Sequence, residues 1–180
     1  MPTRRKALGA VARAAAGLAL LPFAQQRAHS GVLVNDIHSQ LNPTRVDRIV
    51  PIDSEATLRT ALAVGRSEGK PVCIAGGRHA MGGQQFAEGA VLLDVRPMRR
   101  IIELDAERGV VEAEAGIQWP DLIERLIAMQ RGQPAAWGII QKQTGADRLT
   151  LGGALAANIH GRGLALKPIK IGRASCRERV

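Results

Sequence analysis

Val72-Cys-Ile-Ala-Gly-Gly-Arg-His-Ala-Met-Gly-Gly-Gln84 is the stretch on which the fold turns. Its first four residues are apolar and bounded by glycine, the pattern of a buried strand. Gly76, Gly77, Gly82 and Gly83 then make a turn with His79 at its middle. Glycine carries no Cβ, so bare backbone N–H groups can approach an anion closely. The stretch reads as a strand that delivers a pyrophosphate-binding loop.

Upstream, residues 46–52 predict a short strand interrupted by Pro51, which places it near a sheet edge. Asp53 or Ser54 caps a helix with Glu55 in its first turn. Leu58, Ala61, Leu62 and Gly65 share one helical face; Gly69 ends the helix and Pro71 bars its continuation. Strand, helix, strand is a βαβ unit, so residues 46–52 and 72–75 are expected to be a parallel pair. The glycine loop then lies at the carboxyl end of a parallel strand, where such units place ligands. Residues 31–47, with Asn35, Asp36, Asn42 and Pro43, read as irregular lead-in.

Downstream, residues 90–95 predict the next strand. Residues 98–104 and 109–115 predict a hairpin around the Asp105–Gly109 turn. Val111, Ala113 and Ala115 alternate with Val110, Glu112 and Glu114, so Glu112 and Glu114 read as solvated strand carboxylates, not a catalytic pair. Pro120 opens a helix with Leu122, Ile123, Leu126, Ile127 and Met129 on its apolar face, closed by Gly132. Residues 133–148 read as a loop with an apolar insert at 137–140. Residues 145–161 form a second glycine- and alanine-rich stretch. There Gly152 and Gly153 are expected to open a short turn or helix with free N–H groups. Ala154, Ala156 and Ala157 keep the surface flat enough for a large planar ligand. One long ligand held between two backbone loops accounts for both stretches.

The chain has 180 residues, 46% hydrophobic and 23% charged, the composition of one globular unit. With no Tyr, two Phe and two Trp, the core is expected to be aliphatic. The net charge of +9 sits at the ends: residues 1–30 carry five basic residues and no acid, whereas residues 31–170 hold 17 basic against 15 acidic. No basic patch interleaved with aromatics is present, so nucleic acid is not an expected partner. Cys73 lies in a predicted strand and behaves as a small hydrophobe; it is not expected to pair with Cys176.

Two motifs in order carry a resemblance to a known family. Gly77-Arg-His-Ala-Met-Gly-Gly-Gln84 is similar to the histidine-containing loop of cytokinin dehydrogenases and alditol oxidases. Leu149-Thr-Leu-Gly-Gly-Ala-Leu-Ala-Ala-Asn-Ile-His-Gly161 is similar to the second flavin segment of sugar oxidases such as decaprenylphosphoryl-ribose oxidase. Together they resemble the FAD-binding domain of the vanillyl-alcohol oxidase and p-cresol methylhydroxylase type, across about residues 42–168. The resemblance implies an α+β fold, with a small parallel βαβ subdomain, then a mixed subdomain, and FAD extended between them. It assigns Gly76, Gly77, Arg78, His79, Ala80, Gly83 and Gln84 to one side of the cofactor. Gly145, Ala146, Leu149, Thr150, Gly152, Gly153, Ala157 and Ile159 are assigned to the other.

In the relatives the loop histidine is bonded covalently to the flavin. His79 therefore has two readings, a covalent anchor or a non-covalent loop histidine bonded to phosphate. This chain has Arg78 where cytokinin dehydrogenases have glycine, and Ala80 where most relatives have serine. His160 reads as a residue beside the ring near substrate, or as one bonded to backbone. The implied activity is hydride transfer from a carbon bearing a hydroxyl or amine to flavin N5. The substrate is then a small, alcohol- or sugar-like molecule, and the flavin carries the redox chemistry. A nicotinamide-binding fold is a weaker alternative, because its glycine turn should open a helix. A non-catalytic flavin-binding fragment is the other alternative. No metal is expected.

Residues 1–30 resemble a twin-arginine export segment, with Arg4-Arg5-Lys6 ahead of an apolar run at 14–24 too short to span a bilayer. The expected location is therefore periplasmic, with a cytoplasmic protein as the alternative, and the leader is the only expected membrane contact. Export of folded proteins by that route suits a chain that takes up a bulky cofactor first. Residues 171–180 lack periodicity and resemble a translated sequencing adaptor, so the domain is expected over 42–170. The relatives continue beyond this point into a substrate-binding part that supplies the catalytic base, so the chain alone is expected to be inactive.

Overall fold

A computed structural model describes residues 31–142, 146–159 and 170–173. The expected leader lies outside the described residues, as do Gly145, His160, Cys176 and residues 174–180 of the tail. The fold is α+β, with one parallel sheet and several antiparallel pairs.

The parallel sheet contains β3 (Arg48–Pro51), β4 (Val72–Ala75) and β5 (Val91–Asp94) in the order β3-β5-β4. The βαβ unit is present, but its two strands are not neighbours. Each pairs with β5, Arg48 and Val72 both opposite Val91. The physical reason lies in the sequence of β5, whose four residues are all buried. A strand covered on both faces belongs in the middle of a parallel sheet. The predicted burial of β4 is corrected accordingly: it is an edge strand, and Ile74 is 55% exposed. Pro51 sits at the end of the other edge, as a residue without an N–H should.

Helix α1 (Glu55–Ser67) starts at Ser54, whose hydroxyl accepts from the Thr57 N–H at 3.2 Å. It packs on Val91 and Leu93 through Ala61 and Leu58. Gly65 is required there, since a Cβ would lie 2.6 Å from Val72 Cγ2. Leu62, assigned to the same face, is half-exposed.

The other face of β5, through Leu92, packs on Val34 and Val46. Here the expected irregular lead-in is an antiparallel hairpin, β1 (Val32–Val34) with β2 (Thr44–Val46). The single strand expected over 46–52 is therefore two strands broken at Asp47. Val46 turns to the hairpin, and the Asp47 N–H donates to the Ala90 carbonyl at 2.8 Å.

The second half of the chain holds the hairpin β6 (Ile101–Asp105) and β7 (Val110–Ala113), helices α2 (Trp119–Met129) and α3 (Leu151–Ala156), and the antiparallel pair β8 (Trp137–Gln141) and β9 (Lys170–Arg173). The expected loop over 133–148 thus contains a strand, which takes three residues of the expected tail, 171–173, into its partner. The core of this half is not purely aliphatic. Trp119 is fully buried among Ile117, Leu122, Leu126 and Leu149. Only that narrow stripe of α2 is covered, and Ile123, Ile127 and Met129 are exposed. Gly109 lies flat beneath the Trp137 ring, where a Cβ would come within 2.5 Å of Cη2. Glu112 is exposed as expected. Glu114 is not solvated: its side chain is 8% exposed and accepts from the Arg100 guanidinium and backbone N–H. Among the described residues, no helix is long and apolar enough to cross a membrane.

Candidate functional site

Strand β4 ends at Ala75 and hands the chain to the glycine loop at the carboxyl edge of the parallel sheet. No helix opens there. Residues 76–90 turn back and enter β5, which removes the nicotinamide-type arrangement.

The two glycine-rich stretches meet. A Cβ on Gly76 would overlap the Thr150 hydroxyl, and one on Gly77 would strike the Arg148 carbonyl and come within 2.8 Å of His79 Cδ2. Only glycine permits that approach. Arg78 holds a left-handed backbone, φ +57°, uncommon for a residue with a side chain. Beyond this contact, the N–H groups of Gly77, Arg78, His79 and Ala80 find no acceptor among the described residues. Consecutive N–H groups in a turn with a left-handed member form an anion-binding concavity. Arg78 Nε and His79 Nε2 are also buried without a hydrogen-bond partner among the described residues. Burial lowers the Arg78 pKa, reinforced by nearby Arg96 and opposed by Asp94. The backbone N–H groups and Arg78 Nε fit a pyrophosphate.

His79 is tightly held. Its Nδ1 lies 2.7 Å from His38 Nε2, with the rings edge-to-face at 4.7 Å. Its Nε2 is turned toward the Arg148 carbonyl without a well-formed bond. Burial pushes its pKa below the ordinary imidazole value, and the neighbouring His38 adds to that.

The second stretch is arranged differently from expectation. Thr150 caps α3, its hydroxyl accepting from Gly153 N–H at 3.2 Å. Leu151 N–H donates to Ile117 O at 2.9 Å and Gly152 N–H to Ala115 O at 2.8 Å. The N–H groups expected to be free are therefore engaged, because the segment is stitched to residues 115–117. Leu149, Thr150 and Ala154 are buried, Ala146 and Ile159 pack against the Trp119 cluster, and Gly153 and Ala157 are exposed. Ala80 and Gln84 are exposed. Gly83, φ +70°, packs against Asn42, where a Cβ would lie 2.9 Å away. A polar groove of about 460 Å³ lined by Asp94, Arg96, Arg99, Gly116, Gln118 and Asp121 opens at the end of β5. Gln118 bridges it to the second stretch by donating to Arg148 O at 2.5 Å.

Sequence reasoning missed the hairpin side of the site. Asp36 is fully buried. Its carboxylate accepts from the His38 and Ser39 N–H groups and the Ser39 and Asn42 side chains. Burial works against the charge, yet these donors hold its pKa well below the usual carboxylate value. The signal was the Asn35, Asp36 and Asn42 content, which marks side-chain-stabilised turns.

A family profile described as FAD binding domain matches residues 46–168. UDP-N-acetylenolpyruvoylglucosamine reductase of Pseudomonas aeruginosa is 30% identical over 120 residues, 64% of this chain and 32% of that protein. Two crystal forms of alkyldihydroxyacetonephosphate synthase share the fold. The P212121 form has a TM-score of 0.56 at 19% identity, over 65% of this chain and 21% of that one. The P1 form has 0.54 at 20% identity, over 63% and 22%. The chain spans about a third of the length of its curated relative.

Proposed function

The chain belongs to the FAD binding domain family, and on that premise we propose that it is the cofactor-holding part of an FAD-linked oxidoreductase acting on a small alcohol- or sugar-like molecule. The observation that carries this is the run of four unaccepted N–H groups from Gly77 to Ala80, set where Gly76 and Gly77 touch residues 148–150. Backbone dipoles are preorganised and need no lysine to neutralise a phosphate. Arg78 adds a guanidinium whose Nε finds no hydrogen-bond partner among the described residues. Gly153 and Ala157 are exposed and carry nothing larger than a methyl, which suits a flat ring.

When bound, FAD supplies a two-electron acceptor for a hydride leaving a carbon that bears a hydroxyl or amine. The chain's own residues bind and orient. The loop fixes the phosphates, and Thr150 holds the two stretches at one spacing. The Asp94–Arg96 pair charges the wall of the polar groove. The likeness to a protein named as a reductase supports a second reading, in which the same cradle serves transfer in the opposite direction, onto a nucleotide-linked substrate. The export-type leader supports a periplasmic location.

The test is titration of the full chain with FAD, read as quenching of flavin fluorescence. Saturable binding that is competed by ADP and weakened by Gly77→Ala is expected. A folded chain that leaves flavin emission unchanged at high concentration overturns the proposal.

A further inference from the structure

The hairpin loop at residues 35–43 lies ahead of the segment matched by the family, which begins at residue 46. Yet four hydrogen bonds run from it to the glycine loop. Ile37 N–H donates to Arg78 O at 3.0 Å, Asn42 Nδ2 to Met81 O at 2.5 Å and Ser39 Oγ to Met81 O at 3.3 Å, and His38 Nε2 meets His79 Nδ1 at 2.7 Å. The hairpin loop is itself tied around the buried Asp36 carboxylate, which sets the positions of His38, Ser39 and Asn42 together.

We infer that His38 is a positioning residue for the cofactor loop: its ring clamps Nδ1 of His79 and makes that imidazole part of the loop's frame, not a covalent anchor for the flavin. The inference rests on the FAD-binding reading above and deepens it. A ring nitrogen can bond to the flavin only by offering its lone pair to the cofactor's methyl carbon. Nδ1 is committed to His38, and Nε2 is buried on the side of Arg148. Freeing either one means unclamping the hairpin or parting the loop from residues 148–150. Arg78, next in the chain, is held at φ +57° while its carbonyl accepts from the hairpin. The clamp therefore fixes the turn that aims the four N–H groups.

The experiment uses the full chain with nitrogen-15-labelled histidine. Long-range proton–nitrogen spectra of the apo protein report the His79 ring. In the wild type Nδ1 is expected to show a hydrogen-bonded shift. His38→Ala should move the His79 ring resonances by several ppm and weaken FAD binding about tenfold, the loss of one aligning hydrogen bond. His38→Gln offers an amide at a similar reach and should restore most of both. If His38→Ala does not fold, His38→Gln and Asn42→Ala carry the same two readouts. Acid precipitation of the FAD-loaded wild type should leave the flavin in the supernatant.

His79 resonances identical in wild type and His38→Ala overturn the inference. So does flavin that stays with the acid-precipitated wild type and is lost from His79→Ala. Failure of the wild type to bind FAD counts against the functional reading alone, because the apo spectra still decide the clamp.

Discussion

At the scale of single residues, the site depends on atoms that are missing as much as on atoms present. Gly77→Ala places a methyl group against the Arg148 carbonyl, which is backbone and cannot swing away. The expected cost is about 1–3 kcal/mol of stability, with at least tenfold weaker FAD binding. Urea unfolding and flavin quenching measure the two. Charge acts at the same scale. His79 is pushed below the ordinary 6.5 by burial and by His38, so the folded chain binds fewer protons there than the unfolded one. Its contribution to stability is complete above about pH 6.5 and is lost as pH falls through the lowered value. Asp36 is likewise depressed from 3.8, so its contribution is complete above that pH and is lost as pH falls through its folded value. The thermal midpoint should therefore decline on acidification below about pH 6.5. In His79→Gln the first part of that decline should disappear, as differential scanning calorimetry across a pH series would show.

At the scale of elements, two helix caps of similar chemistry have different consequences. Ser54 caps α1, and among the described residues its side-chain hydrogen bonds run to Asp53 and Thr57. Ser54→Ala should cost about 1 kcal/mol and leave FAD affinity unchanged. Thr150 caps α3 and also fills the space beneath Gly76. Thr150→Ala should cost about 1–2 kcal/mol and weaken FAD binding as well. Parallel denaturant melts and flavin titrations of the two variants separate the outcomes. The helices were legible because capping residues, glycine stops and 3.6-residue periodicity are local. The hairpin β1–β2 was not, because three-residue strands carry too little periodicity to register. Strand β8 was hidden for a related reason: its pairing with β9 joins residues about thirty apart, beyond any local pattern.

At the scale of the whole molecule, the two halves are coupled through the segment that carries Leu149 and Thr150. Leu149 belongs to the Trp119 cluster, while Thr150 supports the glycine loop of the parallel sheet. Trp119→Ala should cost about 3–5 kcal/mol. It should also weaken FAD binding, although Trp119 is not among the loop's contacts; a conservative Trp119→Phe should recover much of both. Calorimetry and flavin quenching on the two variants test the coupling.

The order of strand, helix, strand and glycine loop followed from the sequence alone. So did the class of ligand, since an apolar strand ending in glycines leaves backbone N–H groups as the available chemistry. Which strand sits in the middle of the sheet was settled only by packing, because both faces of Val91–Asp94 must be covered. The meeting of His38 with His79, 41 residues later, was likewise a product of tertiary structure. Neither residue's neighbours in the chain encode it; the contact exists because the hairpin covers Leu92 and thereby carries its loop across the end of β4.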